Sequence, residues 1–252
     1  MDIETVLKLE AAALKAWPPR ETARVEGWLL RAAGGHTRRA NSVQPLVFAA
    51  GGDTPRAIGR VEAWYEARGL PACFQLTDHA APVALDELLA SRGYAKLSPV
   101  SVLTRDLAGL EAPERRQIEL DFRPTPLVMN AVCDPLWSPE RRRARAELFA
   151  RIRRPHGFAV MIEGRQPAAG ALCVVDGDLA GIFSLRTATQ ARGRGHARAL
   201  LQRLGAWARG MGARQLYLQV EDDNLPCLAM LRPFAFERRY GYWYRERAVQ
   251  AA

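Results

Sequence analysis

Between residues 178 and 220 the chain writes strand, glycine loop, helix and strand in direct succession, and that order limits the folds open to it. "DLAGIFSLRT" (178–187) is apolar and β-prone, and Gly177 with Asp178 makes a hairpin turn joining it to "PAAGALCVV" (167–175). "QARGRGHARAL" (190–200) follows, with Gly193 and Gly195 set among Arg192, Arg194 and Arg198. Ala197, Leu200, Leu201, Leu204, Trp207 and Ala208 then recur at helical spacing until Gly210 and Gly212 end the run, and "RQLYLQV" (214–220) is a second strand. The loop therefore stands at a helix N-terminus. Unpaired N–H groups and a partial positive charge favour an anion there, and glycines let it come close.

The flanking segments extend the same plan. "QIELDFRPTP" (117–126) looks like a strand, and "SPERRRARAELFARI" (138–152) opens a helix, with Ser138 as cap and Pro139 at the first helical position. Its arginines read as a solvated face opposite the stripe Ala144, Leu148, Ile152. Residues 157–187 read as a three-stranded meander, and "DLAGLEAPERR" (106–116), charged and without periodicity, as a linker. The first hundred residues repeat part of this. "RVEAWYEARGLPACFQLT" (60–77) matches "RLGAWARGMGARQLYLQV" (203–220) in helix, glycine break and strand, and "LLASRGYAKLSPVSVLTRDL" (88–107) parallels "LAMLRPFAFERRYGYWYRER" (228–247). Two related lobes are expected, divided at 110/111.

Composition narrows the partners. A chain of 252 residues with 48% hydrophobic residues can bury one large core or two small ones. The formal net charge of +9 suits an anionic ligand, a nucleic acid or an acidic partner. Only Lys8, Lys15 and Lys96 are lysines, however, and the aromatics are not interleaved with the arginines as a base-stacking platform requires, so nucleic acid is not the expected partner. Cys73, Cys133, Cys173 and Cys227 lie far apart, which leaves no zinc ribbon or redox pair and predicts no metal site. The start, "MDIETVLKLEAAALKAWPP", has neither the basic start nor the apolar run of a signal peptide, and no stretch reaches membrane-spanning length. A cytoplasmic protein without a membrane partner is expected; nothing sets its oligomeric state.

Three phosphate-binding loops compete for the glycines. A Walker loop needs Gly-Lys followed by Ser or Thr, which is absent. A dinucleotide fingerprint needs a small residue where Arg198 stands and an acid about twenty residues later. The third fits: "QARGRGHA" (190–197), after a strand ending in "LRT" and before an amphipathic helix and "LYLQVEDDN", resembles the pyrophosphate-binding motif of the GNAT superfamily of N-acetyltransferases. The resemblance covers residues 115–247 and includes Asn224, where the family places an asparagine on the pantetheine arm, and "RPFAF" (232–236), where it has an Arg-x-Gly-Phe turn.

That resemblance implies an α+β fold, a mixed, mostly antiparallel sheet flanked by helices, in two similar lobes, with acetyl-CoA as acyl donor and an amine as acceptor. Amides of Arg192, Gly193, Arg194, Gly195, His196 and Ala197 would cradle the pyrophosphate, with the Arg192, Arg194 and Arg198 side chains either on the 3′-phosphate or in solvent. The strand edge at Leu185, Arg186 and Thr187 would pair with pantetheine as an added strand, and the Leu185 N–H would serve as oxyanion donor. Residues 111–252 would be the CoA-binding domain and 1–110 a degenerate lobe, because "AAGGDTPRAIGRV" (49–61) sets Asp53 where a phosphate would lie. A fragment of residues 112–252 would on this reading still bind acetyl-CoA.

The sequence also departs from the family. The tyrosine that commonly protonates the departing thiolate falls at Leu231, and the turn glycine at Ala235. Tyr242 is the candidate substitute, with Tyr240 and Tyr244 beside it, although alternating aromatics also suit packing. Glu221 is the best-placed base for an amine, Asp222 and Asp223 read as helix caps, His196 as a backbone contributor of the loop rather than a base, and His36, His79 and His156 as ordinary. "HTRRANS" (36–42) is either a turn into the strand at 43–48 or a wall of the acceptor site. The rival readings are a CoA-binding sensor without catalysis and a basic nucleic-acid-binding module.

Overall fold

The computed structural model describes residues 2–111 and 117–247. The first half runs α1 (Ile3–Ala16), β1 (Glu21–Val25), β2 (Trp28–Ala32), β3 (Val43–Gln44), α2 (Thr54–Glu66), β4 (Cys73–Thr77), α3 (Leu85–Ser91) and β5 (Ala95–Asp106). The second runs β6 (Ile118–Asp121), α4 (Pro126–Val132), α5 (Pro139–Ala150), β7 (His156–Glu163), β8 (Gln166–Asp176), β9 (Leu179–Thr187), α6 (His196–Gly210), β10 (Gln215–Glu221), α7 (Leu225–Leu231) and β11 (Glu237–Glu246). Among the described residues no helix is long and apolar enough to cross a membrane.

All strands belong to one sheet, in the order β1-β2-β3-β4-β11-β5-β10-β9-β8-β7-β6. Among the described residues only β3 with β4 and β9 with β10 pair in parallel; the other neighbours are antiparallel. The central order β4-β11-β5-β10 reads the same from either end when β4 is matched to β10 and β5 to β11, the pairs that the internal repeat had aligned. Each half thus lends its last strand to the other: β11 lies between β4 and β5, and β5 between β11 and β10. The mixed, largely antiparallel α+β sheet expected from the sequence is present, and its strand pairings cross the 110/111 division.

Packing explains which helix lies on which face. Leu200, Leu201, Leu204 and Ala208 of α6 are buried against Ala159, Ala171, Cys173 and Ile182, the inward positions of β7–β9. The opposite face carries α1, α4 and α5 over Phe158, Leu172, Val174 and Phe183, and α2 and α3 cover Trp28, Phe74 and Leu76. The expected linker is not free where it is described: Leu107 and Leu110 are buried, the Leu107 N–H donates to Arg214 O at 2.8 Å, and Leu110 fills the space that a side chain at Gly205 would need. Residues 112–116 of that segment lie outside the described residues. All four cysteines are free thiols.

A buried polar cluster joins the halves. Glu10 of α1 accepts from Gln75 Nε2 at 2.9 Å, from Tyr240 Oη at 2.6 Å and from Gln44 Nε2. Gln75 in turn accepts from Arg31 Nη2 at 2.7 Å, and Arg31 also bonds Ser42. Each charged group has partners, which is what makes its burial tolerable. The cluster fixes α1, β2, β4 and β11 in one register.

Candidate active site

The site begins where two parallel strands part. β9 and β10 pair at Leu179 with Gln215, Ala180 with Leu216 and Gly181 with Tyr217, and both run on without pairing further. Gly181 is required at the fork, because a Cβ there would stand 2.5 Å from the Tyr217 hydroxyl. Beyond it β9 bulges: Phe183 faces Leu172 and Arg186 faces Gly170, so Ser184 and Leu185 together oppose Ala171, and Ser184 takes φ 50°. The bulge leaves Ser184 and Leu185 without register partners of their own in β8.

The glycine loop follows the end of β9 and leads into α6. Gly193 and Gly195 both have φ 76°, in the left-handed region that side chains disfavour. α1, α2, α4, α5 and α7 are capped by Asp2, Asp53, Thr125, Ser138 and Asn224, whereas α6 starts on Gly195, which has no capping side chain. The N–H groups ahead of Ala199, whose own bond goes to Gly195 O, therefore face outward without intrahelical acceptors. In the first half the corresponding helix end is filled by the Asp53 carboxylate, which accepts from Arg56 N at 3.0 Å.

The loop side chains mostly turn away. Arg194 donates to Glu163 at 2.8 Å and to Gln190 O at 3.0 Å. His196 is buried, its Nε2 2.9 Å from Glu163 Oε1 at an angle that makes no hydrogen bond. Arg198 stacks over Phe234 at 5.5 Å, Arg192 is exposed, and Arg186 reaches Ala131 O of α4 at 3.4 Å. Ala197 is half-buried in the first turn of α6, and Thr187 pairs with Ala169 at the end of β9. What this loop offers an anion is backbone.

A cleft of about 810 Å³ opens from the fork, and Leu185, Glu221, Asn224 and Tyr242 all line it. Glu221 is exposed at its rim. Asn224 accepts from Cys227 N at 3.2 Å and so is the cap of α7, a task the sequence had given to Asp222 and Asp223; Asp222 instead accepts from Ser101 Oγ at 2.7 Å. Tyr242 donates to Gln219 Oε1 at 3.4 Å and stacks edge-on with Tyr244 at 5.6 Å. Burial pushes the Tyr244 phenol well up. Tyr240 points to Glu10 and takes no part in the cleft. Leu231 is buried in the core beneath α6, and Ala235 holds the turn at φ 51°, the left-handed conformation for which the family uses glycine.

The far wall was hardly visible in the sequence. Residues 35–39 of the first half line the cleft, so the "HTRRANS" loop is more than a turn, and Trp17, Arg141 and Arg145 line it as well. Arg145 does not belong to a solvated face: its guanidinium lies 4.7 Å from the Trp17 ring and 4.8 Å from that of Trp137, and Nη1 donates to Ser184 Oγ at 3.2 Å. Its position four residues before Phe149 and three before Leu148, at the margin of the apolar stripe, was the available signal.

A parallel pair that splays past a bulge, beside an uncapped helix preceded by left-handed glycines, defines a GNAT-type N-acetyltransferase fold. A structure described as a GCN5-related N-acetyltransferase from Kribbella flavida superposes with a TM-score of 0.64 at 14% identity, covering 96% of this chain and 95% of that one. A tandem GNAT protein from the clavulanic acid biosynthesis pathway superposes at 0.59 with 15% identity, over 96% and 89%. More particularly, residues 4–244 match the family described as "Probable histone acetyltransferase Rv0428c C-terminal", and the chain belongs to that acetyltransferase family. It is 27% identical over 251 residues to the "Uncharacterized N-acetyltransferase YobR" of Bacillus subtilis (strain 168), covering 96% of this chain and 99% of that one.

Proposed function

We propose that the protein transfers the acetyl group of acetyl-CoA to an amine, with residues 111–252 supplying the cofactor site and residues 1–110, a degenerate copy of the same unit, supplying strands and the acceptor wall. The observation that carries this is the forked β9–β10 pair opening beside the uncapped start of α6. Acetyl-CoA supplies an activated thioester: the neutral amine nitrogen bonds to the carbonyl carbon, the C–S bond breaks, and the proton shed by the nitrogen ends on the departing sulfur as free thiol, an ammonium acceptor releasing one further proton.

The chain's residues then have distinct tasks. Amides from Arg192 to Ala197 hold the pyrophosphate, and Asn224, with the β9 edge from Leu185 to Thr187, orients the pantetheine arm. The Leu185 N–H, in the bulge of β9, is the donor to the thioester oxygen. Glu221 takes the proton from an amine whose pKa in water is near 10, directly or through water. Tyr242 replaces the tyrosine lost at Leu231 as proton donor to the thiolate. That need is small, because a thiol with a pKa near 8.5 leaves easily at neutral pH.

Leu231 favours one second reading, a CoA-binding sensor that does not turn over. A panel of amines assayed for acetyl-CoA-dependent release of free thiol separates the two. Thiol release with at least one amine supports transfer, and acetyl-CoA binding without consumption by any amine supports the sensor.

A further inference from the structure

The cleft wall beside the β9 bulge carries more positive charge than the described residues neutralise. Arg38 is satisfied, bonded through Nε and Nη2 to the two carboxylate oxygens of Glu246 at 3.1 and 3.2 Å. Arg39, Arg141 and Arg145 are not: among the described residues none of them has a carboxylate partner. Arg39 lies against the rings of Trp17 and Phe183 at 5.6 and 5.5 Å, faces the phenols of Tyr242 and Tyr244, and its enclosed Nε has no hydrogen-bond partner. Arg145 lies on Trp17 as well, and its one polar bond goes to Ser184, in the bulge beside Leu185. Burial and the neighbouring Arg39 charge lower the Arg145 guanidinium to about 10.

Enclosing guanidinium groups that no carboxylate neutralises is costly, and stability alone offers no reason to gather two of them around one indole. An oxyanion between them would supply the missing partner, since guanidinium forks match carboxylates and phosphates. Trp17 fixes the two forks by stacking, and Ser184 ties Arg145 to the strand that bears the proposed oxyanion donor. An anion held there places an amine on the same small molecule next to the fork. A lysine side chain of a strongly basic peptide would meet this wall with like charge.

We infer that the acceptor is a small amine bearing an oxyanion close to its nitrogen, a carboxylate or a phosphate, held by Arg39 and Arg145. This rests on the acetyl-transfer reading and deepens it. The test uses the full-length protein and matched acceptors: amino acids beside their decarboxylated amines, ethanolamine beside O-phosphoethanolamine, and a lysine-rich basic peptide. The expected result is that an oxyanion-bearing amine exceeds its bare counterpart at least tenfold in kcat/KM, the amino acid and phosphoethanolamine arms telling which anion is preferred. Arg39→Gln and Arg145→Gln should each raise KM for that acceptor at least tenfold with acetyl-CoA affinity unchanged, and Arg39→Lys should recover part of the loss. Bare amines or the basic peptide reacting as well as the anionic amines, or variants that leave acceptor KM unmoved, would overturn the inference. Calorimetry of the CoA-saturated protein with the same amines reads the anion site without turnover. Binding of the anionic member of a pair and its loss in Arg39→Gln would support the site even if transfer failed, and equal or absent binding of both members would refute it.

Discussion

Removing residues 1–111 tests whether the second half is an independent domain. The sequence alone suggested that a 112–252 fragment would bind acetyl-CoA, since every proposed cofactor residue lies within it. The sheet says otherwise. The cut strips β11 of both neighbours and β10 of one, and removes Trp17, which stacks on Phe183 at 5.5 Å and meets Phe149 edge-on at 6.0 Å. Tyr240, Tyr242, Tyr244, Phe149 and Phe183, each at most 5% exposed, would lose their cover. At about 2 kcal/mol for each side chain this is roughly 10 kcal/mol, before the lost sheet hydrogen bonds are counted. Whole domains are stable by only about 5–15 kcal/mol, so the fragment should not fold. The expected outcome is no near-UV circular dichroism, no cooperative urea transition and no acetyl-CoA binding, with binding restored on co-refolding with residues 1–111. A fragment that unfolds cooperatively and binds acetyl-CoA alone would refute the strand-exchange argument.

Four further outcomes follow from single residues. Ala235→Gly relieves a left-handed alanine at φ 51° and should stabilise by about 0.5–1 kcal/mol, a rise of roughly 2–3 °C in Tm; an unchanged or lower Tm would contradict it. Arg245, and after it Trp243, hold the Asp86 carboxyl below its usual range, so its contribution is present above roughly pH 4 and is lost as pH falls through the lowered value. Asp86→Asn should therefore cost about 1–2 kcal/mol in urea unfolding at pH 7 and progressively less toward pH 2, whereas a pH-independent difference would remove the charge argument. Tyr242→Phe should lower kcat by less than about tenfold with acetyl-CoA affinity intact, because the thiolate leaves with little help, and a loss above about 10²-fold would contradict that and make Tyr242 an indispensable acid. Glu221→Gln should lower kcat/KM for the acceptor and abolish the acidic limb of its pH profile; retention of that limb would assign the base elsewhere.

What was legible in the sequence was local. The hairpin at Gly177, the α6 stripe, the Ser138 cap and the repeat of helix, glycine and strand each depend on residues within a few positions of one another, where turn chemistry and periodicity act. The fork was legible only through its glycines and Asn224. The exchange of β5 and β11 was not, because both halves of the repeat predict a strand after a helix and nothing local says which neighbour it takes. The proposed acceptor wall was missed for a related reason: Trp17 and Arg39 lie more than a hundred residues from Arg145 in the chain, and an arginine among arginines on an amphipathic helix gives no sign that one of them turns inward. Asp53 and Asn224 illustrate the middle case, each named for an effect on a ligand and found to cap a helix as well.

The central claim is that the uncapped start of α6 receives the pyrophosphate of acetyl-CoA, and calorimetry on the full-length protein and on Gly195→Glu tests it most directly. The substitution puts a carboxylate at the helix end and a side chain at φ 76°. One acetyl-CoA should bind per chain, because Asp53 already fills the matching helix end of the first half, and binding should be lost in a variant whose circular dichroism is unchanged. Two sites per chain, no binding to the unaltered protein, or full affinity in folded Gly195→Glu would contradict the account.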